Sequence, residues 1–217
     1  MRVAIRAAEE WGVLSTDELR ECGLSLNAIV VRVRNGRLHP IYRGVYAVGH
    51  PNVTQEGRFL AAVKACGPGA HLSHFSAAAH YGFVRWDDRY PEVTTTGLRS
   101  HRGIRTHRTT QPDAMRHRNI PTTTPARTLV DLAAILPYKP LRRAVREAQR
   151  TVPLRTVLAT MHALGPRRGT ANLTKILATG PAPTRSELED VVLDLLLKGG
   201  IPHPQVNVPL IIQGRRV

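Results

Sequence analysis

The 217-residue chain is 42% apolar and carries a formal charge of +15, with a sequence pI of about 11.2. This composition excludes a disordered chain. It also excludes a disulfide-stapled secreted domain, since Cys22 and Cys66 are the only cysteines and neither stands in a zinc-type spacing. The charge points to a polyanionic partner, double-stranded DNA ahead of an acidic membrane surface. Arginine supplies 27 of the 31 basic residues. Its fork suits phosphate and guanine edges, although a GC-rich genome yields the same bias. The start MRVAIRAAEEWG lacks the apolar core of a signal peptide, and no apolar run reaches membrane-spanning length. A cytoplasmic protein with no membrane partner is expected.

Charge divides the chain. Residues 1–50 carry net +2, residues 51–180 net +13, and residues 181–217 are neutral. The breaker-rich stretches GHPN (49–52) and ATGPAPT (178–184) fall at the boundaries. The expected fold class is α+β: a winged helix-turn-helix over 1–50, an α+β body over 51–180, and a short helix–strand tail over 181–217.

In chain order, Val3 to Trp11 forms a short helix ended by Gly12. Ser15 and Glu18 make a capping box that opens a helix from Thr16 to Cys22, and Gly23 terminates it. Ser25 caps a third helix reaching Asn35. There Leu26, Ile29, Val30 and Val33 recur at helical spacing and predict a buried face. Two strands, Arg37 to Tyr42 and Val45 to Val48, turn through Arg43-Gly44. Three helices followed by a hairpin give the winged helix-turn-helix order.

The body opens with a helix over 54–66 and a small-residue helix over 73–81. Strands are predicted at 92–96 and 103–109, then helices at 125–136, 140–150, 154–163 and 170–178. In the tail, Glu187, Glu189, Asp190 and Asp194 lie on a helix with Leu188, Leu193 and Leu197. Val206, Val208, Leu210 and Ile212 then alternate as a strand with no later strand to pair with.

The predicted buried face of the third helix points Ala28, Val31, Arg32 and Asn35 outward, with Asn27 and Arg34 on the flank. Ala28 and Val31 suit thymine methyls, Arg32 a guanine edge and Asn27 an adenine edge. With the cap Ser25, with Arg34 on the helix flank, and with Arg37, Tyr42 and Arg43 on the wing, better placed for phosphate or the minor groove, these residues form the candidate DNA-binding set. Between Arg99 and Arg118 six arginines and three histidines face one acid, Asp113. Arg99, Arg102, Arg105 and Arg108 are therefore candidate phosphate contacts. His71, His74 and His80 lie beside Ser73 and Ser76, but no ring of carboxylates or thiols accompanies them, so no metal, cofactor or catalytic residue is expected.

The segments GRLHPIYRGVYAVG, LAAVKACGPGAHLSHFSAAAHYG and IPTTTPARTLVDLA resemble the AbiEi-type antitoxins of type IV toxin–antitoxin systems. The likeness runs over roughly residues 1–178. It implies a winged-helix DNA-binding domain, a repressor of its own operon rather than an enzyme, and a nucleotidyltransferase-like toxin as genetic partner. The tail TRSELEDVVLDLLLKGGIPHPQVNVPLIIQGRRV is similar to the opening of very-short-patch-repair-like endonucleases, in which a helix glutamate, here Glu187 or Glu189, helps hold a metal. That family's next acid falls beyond Val217, and one helix glutamate cannot hold Mg²⁺. The alternative reading is therefore the targeting portion of such a nuclease. The apolar tail is also expected to mediate a homodimer.

Overall fold

In this computed structural model the described residues are 2–97 and 101–178, with 191–192, 195–196, 198–202, 211–212 and 215–216 of the C-terminal segment. Helix α1 (Arg2–Glu9) ends where Trp11 and Gly12 take positive φ and the Gly12 amide donates to the Ala7 carbonyl at 2.7 Å. Strand β1 (Val13–Ser15) follows, in residues that carry no strand signal by pattern. The capping box forms as expected: Ser15 Oγ accepts from the Glu18 amide at 3.2 Å, and Glu18 Oε2 accepts from the Ser15 amide at 2.7 Å. It opens α2 (Thr16–Glu21). Ser25 caps α3 (Leu26–Arg34), and β2 (Leu38–Tyr42) turns directly into β3 (Val45–Val48). Strand β1 adds to the hairpin, giving an antiparallel sheet of order β1-β3-β2.

Helix α4 (Gln55–Cys66) joins this unit to the body. Thr54 caps it, Oγ1 accepting from the Gly57 amide at 3.1 Å. Ala61 is fully buried in one cluster with Val13 and Val45. A Cβ on Gly57 would lie 2.8 Å from the Trp11 carbonyl oxygen, so glycine permits this close approach. Trp11 Nε1 donates to the Arg118 carbonyl at 2.9 Å, and Asn119 Nδ2 donates to the Glu9 carbonyl at 2.7 Å. The two units are thus sewn together at α1 as well as at α4.

Lys64 makes the charged part of that seam. Its ammonium donates to the Val13 carbonyl at 2.9 Å and to Glu18 Oε2 at 2.6 Å, and pairs with Glu10 at 3.3 Å. Burial pushes the Glu18 carboxyl up, but Lys64 and the Ser15 amide outweigh it, and the net displacement is downward. Removing one partner of such a buried pair leaves charge uncompensated. We therefore expect Lys64→Met to destabilise the chain by about 3 kcal/mol in urea unfolding. A loss below about 1 kcal/mol means that water already solvates the two carboxylates.

The body is built on a mixed five-stranded sheet of order β6-β5-β4-β8-β7, formed by β4 (His71–Leu72), β5 (Glu92–Thr95), β6 (Arg105–Arg108), β7 (Ala114–His117) and β8 (Ile120–Thr123). Its two faces differ. On one, Leu72, Val93 and Ile120 meet Phe59, Leu60 and Val63 of α4. On the other, His71, Glu92, Thr94 and Thr123 are buried polar groups beneath α5 (His74–His80) and α6 (Pro125–Ala133). Helices α7 (Tyr138–Ala148), α8 (Leu154–Leu164) and α9 (Thr170–Ala178) close an apolar core with α6 around Leu129, Leu132, Leu141 and Leu173. The architecture is α+β, as expected.

In the C-terminal segment, β9 (Ile211–Ile212) pairs antiparallel with β10 (Arg215–Arg216). That corrects the expectation of a strand at Ile212 with no later strand to pair with. Glu187, Leu188, Glu189, Asp190, Leu193, Asp194, Leu197, Val206, Val208 and Leu210 lie outside the residues that can be described. Among the described residues no helix is long and apolar enough to cross a membrane.

Candidate nucleic-acid interface and a buried histidine–glutamate cluster

Helix α3 is amphipathic, but its buried face is rotated from the expected one. Ile29 is the fully buried residue, and Ala28 and Val33 pack beside it on Leu19, Leu24 and Leu38. Leu26 is 60% exposed, Val30 48% and Val31 50%. The expected stripe of Leu26, Ile29, Val30 and Val33 is therefore half wrong. Six apolar side chains on nine residues cover more of the circumference than the small core admits, and the core chose the side of Ala28, Ile29 and Val33.

This rotation reassigns the outward residues. Asn27, Val30, Val31 and Arg34 face solvent. Ala28, expected outside, belongs to the core rim. Arg32 is half-buried, and its Nη1 donates back to the Ala28 carbonyl at 3.4 Å. Ser25 Oγ accepts from the Ala28 amide at 3.2 Å, so its side chain is engaged as a cap.

On the hairpin, Arg37 and Arg43 are exposed. The turn at Arg43 is held by the Gly44 carbonyl, which accepts from the Thr16 amide at 2.8 Å. Tyr42, in contrast, is turned toward the body. It packs on the cluster beneath α4, and its hydroxyl donates to the Gly103 carbonyl at 3.4 Å. Burial raises its pKa. A cleft of about 410 Å³ opens here, between Ile41 and Tyr42 on one side and Trp86, Arg89 and Tyr90 on the other. The contact with Gly103 sets the wing strand beside the start of β6. Arg102, Arg105 and Arg108 are exposed there, while Arg99 lies outside the described residues.

The histidines divide in a way the sequence conceals. His71 Nδ1 lies 3.2 Å from the Gly69 carbonyl, and His80 Nε2 lies 3.1 Å from the His117 carbonyl. Burial lowers the pKa of both. His74 instead stacks on His107, ring centroids 3.6 Å apart, and His107 Nε2 lies 2.7 Å from Glu92 Oε2. Burial and the neighbouring His107 push His74 down to about 3. The expectation that no ring of carboxylates or thiols accompanies these histidines is refined: a single carboxylate, Glu92, does stand beside His74, together with His107. Strand pairing sets Glu92 and Thr94 on β5 against Arg105 and His107 on β6, and the turn into α5 brings His74 over them. Ser73 Oγ is within 3.0 Å of His74 Nδ1, but Ser73 is fully buried and accepts from Thr94 Oγ1 at 2.8 Å, so it offers no accessible nucleophile.

Residues 1–49 match a family model described as "Transcriptional regulator, AbiEi antitoxin". The winged unit, with α3 and its hairpin, coincides with the matched segment. The match carries the resemblance for the N-terminal unit, which is that of a DNA-binding transcriptional regulator at the family level. No curated protein matches the chain. Among solved structures, the chain is similar to the one titled "Crystal structure of RV2827C protein from Mycobacterium tuberculosis", at 15% identity and a TM-score of 0.56. The likeness covers 83% of this chain and 76% of that one, and it shows a shared fold.

Proposed function

We propose that this protein is a sequence-specific DNA-binding regulator of antitoxin type that represses its own operon. One observation carries the reading: α3, in the reading-helix position of a winged helix, turns Asn27, Val30, Val31 and Arg34 to solvent. Valines beside an amide and a guanidinium are ill suited to water but match a major groove. Val30 and Val31 meet thymine methyls, Asn27 an adenine edge, and Arg34 a guanine or a phosphate. Arg37 and Arg43, with Arg102, Arg105 and Arg108 on the body, supply contacts to the backbone. The implied genetic partner is a nucleotidyltransferase-like toxin, and the repressor works as a homodimer on repeated half-sites.

The test is a mobility-shift comparison between DNA from upstream of the gene and unrelated DNA. Asn27→Ala and Val31→Ala are expected to cost about 1–3 kcal/mol each on the specific DNA alone. Arg43→Ala weakens both DNAs alike, and Arg32→Ala, folded onto its own helix, changes little. If Asn27→Ala and Val31→Ala leave the specific-to-nonspecific ratio untouched, α3 does not read bases.

A further inference from the structure

The cluster of His74, Glu92 and His107 lies outside the set of residues proposed to contact DNA. We propose that these three side chains form a binding site for a divalent transition-metal ion of the zinc type, tying the start of α5 to strands β5 and β6.

The donor set comes first. Each residue offers one ligand atom, and the three atoms lie within 4.8 Å of one another. An ion held at about 2.1 Å by each would draw them to roughly 3.4 Å apart. The His107–Glu92 pair, now at 2.7 Å, then opens by about 0.7 Å, and the stacked imidazoles tilt so that both lone pairs point at the ion that replaces the shared proton. Two imidazoles and one carboxylate suit zinc and its neighbours, whereas magnesium and calcium take oxygen ligands.

The surroundings agree. Glu92 is 1% exposed, and its second oxygen, Oε1, is buried without a hydrogen-bond partner among the described residues. A carboxylate so placed has unused ligand capacity in a site already closed to bulk water. Ser73 Oγ has two lone pairs, enough to accept from Thr94 and from a protonated His74 Nδ1. That tautomer frees His74 Nε2 for a metal, the usual way an outer hydrogen bond orients a ligating histidine. The nearby Arg127 cation is already matched by Asp131 Oδ1 at 2.9 Å, and Arg105 is exposed to water. His107 is only half-buried and provides the way in.

The test uses the full chain without an affinity tag, stripped with a chelator and titrated with Co²⁺ followed by Zn²⁺. One equivalent of Co²⁺ should give saturable visible absorption of a nitrogen- and oxygen-ligated ion, displaced by Zn²⁺. His107→Ala abolishes it, and Glu92→Gln weakens binding by more than about tenfold. Glu92→Gln sits in a buried position and can unfold the chain, so imidazole ¹H–¹⁵N spectra of the wild-type protein provide an independent readout. Of the ten histidines, only His74 and His107 should shift with Zn²⁺. The proposal is overturned by any of three results: no cobalt spectrum, an unchanged titration in folded His107→Ala, or Zn²⁺ shifts confined to other histidines.

Discussion

Affinity for DNA is expected to fall by about 10³–10⁵ between 50 and 200 mM salt. The cause is counterion release. A duplex loses condensed cations for each phosphate a protein neutralises, and the logarithmic slope is about −0.9 per contact. The chain carries +15, and Arg37, Arg43, Arg102, Arg105 and Arg108 are exposed on or beside the winged unit. With a second copy on the other half-site these give about 6–10 contacts, enough for the stated loss. Fluorescence anisotropy across the salt range measures the slope directly. Single alanine substitutions at Arg102, Arg105 and Arg108, each present in both copies, should each reduce it by about two. A slope near zero for the wild type would show that the charge serves another purpose, and unchanged slopes in the variants would exclude β6 from the contact.

The largest single-residue loss of stability is expected at Gly169. This residue has φ of +81°, and a Cβ built on it would fall on the Ala133 carbonyl at the end of α6. Its own carbonyl accepts the first-turn amide of Leu173 at 3.1 Å, so it also starts α9. Helix α9 buries Leu173, Ile176 and Leu177 in the main core and has no room to withdraw without exposing them. Left-handed strain and a backbone clash add, and Gly169→Ala should cost about 4 kcal/mol in chemical denaturation. Gly165 provides the comparison. Its φ is +70°, but a Cβ there meets nothing within 4 Å among the described residues, so Gly165→Ala should cost about 1 kcal/mol. Equal losses at the two positions would mean that α6 and α9 yield to each other.

The helices were legible because their signals are local. Ser15 with Glu18, and Ser25, are caps that a short window of sequence contains entirely, and the structure forms both of them. The strands β1, β4, β7 and β8 were not. β4 spans only His71–Leu72, yet it lies in the middle of the sheet, because β5 and β8 flank it from far along the chain. Two residues carry no period. The α3 face was misjudged for a related reason: Leu26, Val30 and Val31 are as apolar as Ile29, so only the positions of Leu19 and Leu38 decide which of them is covered. The histidine cluster was hidden because its carboxylate comes from β5 and its second imidazole from β6. A parallel pairing between those strands unites them, and parallel pairs leave no hairpin signal in sequence.

Lys64, Gly57 and the Trp11–Arg118 bond hold the winged unit against the body at several points. A reading head on a flexible tether lets its cargo wander around the duplex. Here the cargo is held at one azimuth. If α3 reads a groove as proposed, the β6 arginines land at one rotational setting, so a footprint should have sharp edges, in step with the helical repeat of the DNA.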